Sequence, residues 1–192
     1  MKITEFLSNF IKHPGCVGAI APSTENLAVQ MVAPVDLKNV QTLVEYGPGT
    51  GVFTKYISDR IDHDKTMFFS LEIDDKMFEV STETCPDVEI IKDSASNVCD
   101  QLKRHGKEYA DAIISGLPFA IFPYKLQDEI IEATVEALPK GGIFTTFTYF
   151  HGFYLPGACR IRRVLKMNFS EFHLSPVVWN NFPPAIVYWC KK

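Results

Sequence analysis

Glu45-Tyr46-Gly47-Pro48-Gly49-Thr50-Gly51 is the stretch that decides the fold of this chain. The β-favouring run Thr42-Leu43-Val44 precedes it and Val52-Phe53-Thr54-Lys55-Tyr56-Ile57 follows, so it reads as strand, glycine turn, helix. Open α/β sheets bind ligands at the carboxyl ends of their strands, where this turn falls. Gly47 and Gly49 leave space for a ligand, Gly51 lets the helix pack close to the strand, and the helix start offers unpaired N–H groups. A dinucleotide fingerprint would need glycine at position 52, where the chain has Val52. The pattern is instead acidic-x-G-x-G-x-G. A carboxylate at Glu45 would repel a pyrophosphate and accept hydrogen bonds from an amino or cationic ligand. Taken alone, the stretch fits a ligand-free βα turn equally well.

Working outward, a second strand over Thr66–Leu71 ends at Glu72 and Ile73. Glu72 follows Gly51 by 21 residues, the spacing of an acid that takes ribose hydroxyls. Strands near 88–92 and 110–115 end at Asp93-Ser94-Ala95 and at Ser115-Gly116-Leu117-Pro118-Phe119, and a fifth runs near 142–148. Helical stretches near 52–60, 75–82, 95–105 and 125–138 separate them, which implies βαβ units and a parallel sheet. Phe172–Trp179 and Ala185–Cys190 form a closing hairpin around Asn180–Pro184.

Upstream, Ile3, Phe6, Leu7, Phe10 and Ile11 predict an amphipathic helix over 2–12. It has three readings: docked on the protein's own core, dipping into a lipid interface, or covering the site as a lid. Ser23 or Thr24 N-caps a second helix to about Val32. Residues 1–192 read as a single domain, with N-terminal helices over 1–33 and the sheet-bearing core over 40–192.

Net charge is −4, from 19 Lys and Arg against 23 Asp and Glu, without the basic excess of a protein that grips nucleic acid phosphates. Cys16, Cys85, Cys99, Cys159 and Cys190 are odd in number and lack C-x-x-C spacing, which predicts free thiols in a cytoplasmic protein. No metal spacing occurs among the histidines, and no apolar run is long enough to span a bilayer.

The motifs VEYGPGTG (44–51), LEID (71–74), KDSA (92–95) and SGLPF (115–119), in this order, resemble those of class I S-adenosylmethionine-dependent methyltransferases. HPGCVGAIAPSTENLA (13–28), FTYF (147–150) and NNFPPAIVYWC (180–190) resemble the small bacterial phospholipid N-methyltransferases that act on phosphatidylethanolamine, a group similar to the ribosomal RNA adenine dimethyltransferases. The resemblance implies a Rossmann-like α/β fold: a mostly parallel seven-stranded sheet with a reversed last strand and helices on both faces. It also implies S-adenosylmethionine as cofactor, a phospholipid acceptor at the inner membrane surface, and no nucleic acid partner. An RNA adenine N-methyltransferase, or a cofactor-binding membrane module without turnover, are the alternatives. No counterpart of the extra helical RNA-binding subdomain of the adenine dimethyltransferases is expected.

Carried onto this chain, Gly47, Gly49 and Gly51 meet the methionine portion and the adenosine edge, Glu72 the ribose, Asp93 with Ser94 the adenine, and Ile73 is a further cofactor contact. Glu45 acts indirectly on the methionine amino group, and Ser23 is either a cofactor contact or a cap. Ser115, Gly116, Leu117, Pro118 and Phe119 border the transferred methyl, Phe119 offering its ring to a cation. The adenine dimethyltransferases have Asn where this chain has Gly116, which opens space for another amine. Tyr149, His151 and Tyr154 are candidates for headgroup contact or proton removal, or else aromatic packing. Arg160 and Arg163 share a helix face that binds one phosphate or simply faces solvent.

Overall fold

The computed structural model describes residues 23–192. The stripe over 2–12 and Cys16 lie outside them.

Central strands of a parallel sheet are covered on both faces, so they carry apolar side chains on both. Thr42–Tyr46 (β1) is buried at every position. Met67–Leu71 (β2), Glu89–Ile91 (β3), Ala112–Ser115 (β4) and Ile143–Tyr149 (β5) join it in parallel, and Glu171–Leu174 (β6) and Ala185–Lys191 (β7) complete a seven-stranded sheet. The order is β3-β2-β1-β4-β5-β7-β6, and β7 runs antiparallel to both β5 and β6. This is the sheet the motifs imply, reversed strand included. The chain order turns back between β1 and β4, so the ends of these two strands open a crevice where loops can hold a ligand.

Helices Glu25–Val32 (α1), Val52–Ser58 (α2) and Asp75–Thr84 (α3) pair with Val98–Arg104 (α4), Tyr124–Ala137 (α5) and Pro156–Asn168 (α6) in two layers. Leu27, Met31, Phe53 and Ile57 cover the sheet face of Leu43, Ile114 and Val187. Leu102, Ile130, Ile131, Ile161 and Leu165 cover the face of Val44, Ile113 and Phe144. Thr24 caps α1 by accepting the Leu27 N–H, and its own N–H and hydroxyl both donate to the buried Asn181 side chain at 2.9 and 3.1 Å. The start of α1 is thereby tied to the loop before β7.

Two expected elements differ. The strand predicted over 172–179 ends at Leu174, and pairing resumes only at the Val178–Ala185 bridge. Four residue steps on one side face three on the other, which makes a bulge, and Pro176 within it has no N–H to donate. The helix predicted over 95–105 opens with a 3-10 turn, Ala95–Asn97, because Ser94 caps it by accepting the Ser96 N–H.

Candidate active site

The glycine turn crosses from β1 to α2 in left-handed backbone. Gly47, Gly49 and Gly51 have φ of 66°, 57° and 84°, a region costly for residues with a side chain. A Cβ on Gly51 would meet Cys85 Sγ at 2.8 Å. The close approach that this glycine permits is therefore to the end of α3, not to the strand. Around Gly49 the space is open. Gly116 follows β4, and a Cβ there would stand 2.6 Å from the Gly47 carbonyl oxygen. The missing side chain thus serves strand-end packing, where the sequence suggested room for an acceptor.

Three carboxyls lie on this edge in different states. Glu45 is fully buried, with Oε2 accepting from the Ser70 and Thr54 hydroxyls at 2.6 and 2.7 Å. Burial pushes it from 4.5 to about 7, against those two bonds and with help from the Glu72 charge. Its Oε1 is buried without a partner among the described residues. Glu72 is also raised by burial, although the Asp74, Ile73 and Gly49 N–H groups favour its charge. Its Oε1 accepts from Ile73 and Asp74 at 2.8 and 2.9 Å. Burial raises Asp93 too, but Gln101, Asn97 and the Ser94 N–H outweigh it and hold the acid below its ordinary value.

Two hollows flank the turn. One is lined by Glu72, Ile73, Asp93 and Ser94, with Leu117 on its other wall. The second is larger and mostly apolar. Gly47, Gly49, Met77, Gly116, Pro118, Ile121, Phe147 and Leu155 form its walls, and Ser23, Thr148, Tyr149 and His151 add polar atoms. Leu117 packs on Gly47 between the two hollows. A ligand running from Asp93 past Gly49 to Tyr149 would match the order of the motifs. An open glycine cradle and a ribose-spaced acid lining the adjoining hollow suit S-adenosylmethionine.

Of the residues singled out from sequence, Ser23, Tyr149 and His151 do line the larger hollow, the two rings stacked 5.8 Å apart. Others sit elsewhere. Phe119 is 2% exposed and packs on Phe122 and Phe144, so its ring belongs to the core and offers no face to a cation. Ser115 is fully buried and its Oγ accepts the Leu117 N–H. Ser94 serves as a cap, and Tyr154 stands 80% exposed outside the hollow. Arg160 is committed to Asp128, bonding both carboxylate oxygens at 2.7 and 2.6 Å, and to Gln127. Arg163 is exposed. The shared phosphate site does not form, because Arg160 turns inward to α5.

Sequence reasoning missed the group that shapes one wall of the larger hollow. The fully buried Gln127 donates through Nε2 to the Phe119 carbonyl at 2.8 Å, and the Phe122 and Gly157 carbonyls lie 3.3 and 3.5 Å away. It pins the 3-10 turn Phe119–Ile121 to the start of α6, and Ala120, Ile121 and Leu155 of these segments line the hollow. The available signal was a glutamine on the apolar stripe of a helix, three residues before Ile130.

Comparison with known proteins accords with this geometry. The family model for ribosomal RNA adenine dimethylase matches residues 5–135. An ornithine lipid N-methyltransferase of Singulisphaera acidiphila is 29% identical over 191 residues, covering 97% of this chain and 94% of the relative. TrmN from Thermus thermophilus superposes with a TM-score of 0.62 at 16% identity, over 97% of this chain but 53% of that one, so the chain spans about half its length. SMU.1697c from Streptococcus mutans, solved in complex with SAH, superposes with a TM-score of 0.62 at 18% identity, over 88% of this chain and 97% of that one. The solved structures share the fold, and a matching family model and a methyltransferase relative over almost the whole chain converge on one chemistry. The chain belongs to the ribosomal RNA adenine dimethylase family and is a class I methyltransferase that uses S-adenosylmethionine.

Proposed function

We propose that the protein methylates the amine of a lipid headgroup. The observation that carries this is the larger hollow: it adjoins the glycine turn, its walls are mainly apolar, and among the described residues no Lys or Arg lines it. An RNA substrate would call for cations to meet its phosphates. The relative that is named for ornithine lipid N-methylation supports the same class of acceptor. Phosphatidylethanolamine and an ornithine lipid both present a primary amine at the end of an amphiphile.

Bound S-adenosylmethionine supplies an electrophilic methyl group with its own leaving group, so the protein's task is to position and to manage protons. The turn at Gly47–Gly51 receives the methionine portion, the Glu72 carboxylate the ribose hydroxyls, and Asp93 with the backbone at Ser94 the adenine edge. The amine must lose its proton to expose a lone pair. Among the described residues, Tyr149 and His151 are the titratable side chains on the acceptor wall, and His151 takes that proton. Burial raises the Tyr149 phenol, which keeps it neutral as a hydrogen-bond partner for the amine.

Incubation with methyl-labelled S-adenosylmethionine and vesicles of either aminolipid, in parallel with RNA, tests the assignment. Label should appear in the lipid; label in RNA alone would overturn it. Glu72→Ala should weaken cofactor binding roughly 30-fold in calorimetry, about 2 kcal/mol for hydrogen bonds to a charged group. Because Oε1 also holds two backbone N–H groups, Glu72→Gln is the companion variant. It should melt like wild type and still bind more weakly. Unchanged affinity in both removes Glu72 from the cofactor site.

A further inference from the structure

Outside the hollow, three exposed aromatic side chains stand on two segments beside it. Phe150 follows β5 and Trp179 and Phe182 precede β7, with exposures of 42%, 67% and 79%. The two segments are joined where the Phe150 N–H donates to the Pro184 carbonyl at 2.7 Å, and the Phe150 and Trp179 rings lie 5.6 Å apart. Phe150 sits in the chain between Tyr149 and His151, both of which line the hollow. Leu155 lines it as well and is still 40% exposed, with Tyr154 beside it in sequence. The rim is therefore continuous with the mouth of the acceptor pocket.

Its composition narrows what it meets. Residues 141–159 and 174–190 contain no Asp, Glu, Lys or Arg. Nucleic acid needs cations, which these two segments do not supply. Protein interfaces ordinarily ring their apolar centre with charged and polar side chains. Exposed Trp, Tyr and Phe without charge suit the headgroup boundary of a bilayer, where an aromatic body is buried and a polar edge stays wet. A lipid acceptor keeps its acyl chains in hydrocarbon, so the enzyme must bring the pocket mouth to the surface. Among the described residues no helix is long and apolar enough to cross a membrane.

We propose that the rim formed by Phe150, Trp179 and Phe182 docks the pocket mouth onto a lipid bilayer. This rests on the lipid-acceptor reading above. Docking in this orientation delivers a headgroup amine past Leu155 and His151 while the acyl chains stay in the membrane.

The test uses the full chain and Trp179→Ser/Phe182→Ser, with phosphatidylcholine vesicles that either lack or contain the aminolipid. The variant should float with both kinds of vesicle at least roughly tenfold less than wild type, as expected for withdrawing two aromatic rings from an apolar phase. Methylation of the vesicle-borne lipid should fall in proportion. Methylation of a short-chain, water-soluble form of the same lipid and the melting temperature should stay as in wild type. If the double variant melts early, Phe182→Ser alone, at the most exposed ring, carries the same expectation. Equal flotation of variant and wild type overturns the proposal, whether the rim then faces a protein or residues 1–22. Loss of flotation in an enzyme that methylates no lipid, short-chain or long, would instead sink the acceptor assignment and leave the docking surface standing.

Discussion

Glu45→Gln will remove a pH dependence of stability worth about 3 kcal/mol between roughly pH 4 and pH 8. The native carboxyl titrates at about 7 because it is buried, against 4.5 for the ordinary acid. Raising an acid's pKa on folding means that the native state holds its proton longer than the unfolded chain does. Below 4.5 both states are protonated and Glu45 contributes no pH dependence. Between 4.5 and about 7 the unfolded chain releases its proton first, and stability falls by about 1.4 kcal/mol per pH unit. Above that window the loss is complete. Glutamine occupies the same space, accepts from Ser70 and Thr54, and does not titrate. Urea unfolding of both proteins across this range gives the difference directly. Parallel curves would mean that the buried carboxyl finds a partner for Oε1 and ionises normally.

Gly157→Ala should cost about 3 kcal/mol, the upper end for overpacking a tight contact. Alanine is the better helix former by up to about 1 kcal/mol, so propensity alone predicts a gain. Geometry reverses the sign, since the new Cβ would stand 2.0 Å from the Ala120 carbonyl oxygen, a backbone atom that no rotamer change can withdraw. The turn Phe119–Ile121 would have to move away from α6, stretching the Gln127 contacts to the Phe119 and Gly157 carbonyls. Because Ala120 and Ile121 line the acceptor hollow, KM for the acceptor should rise while cofactor affinity holds. Chemical denaturation and steady-state kinetics check the two halves. A stability loss under about 1 kcal/mol would mean that α6 slides without strain.

Both predictions rest on contacts between segments far apart in the chain, and this marks the limit of reading by sequence. The glycine turn, the acid 21 residues beyond it and the strand-helix alternation were legible because each follows from local requirements. A left-handed turn needs glycine, and a buried parallel strand needs apolar residues on both faces. Those requirements determined the order of elements and the edge of the sheet that carries the site. Side-chain direction at that edge was not local. Phe119 lies just beyond the end of β4 and Tyr149 at the end of β5, yet one ring packs on Phe144 and the other lines the hollow, because a 3-10 turn rotates the first into the core.

The sequence by itself determined the fold class, the glycine turn and the strand ends, since backbone conformation and burial periodicity are properties of neighbouring residues. Only the tertiary structure decided that Gly116 is required by the Gly47 carbonyl, that Arg160 belongs to Asp128, and that Phe150 and Trp179 meet beside the pocket. Each of these joins side chains or backbone from different elements, and nothing in the spacing of residues along one element says which element will pack against it.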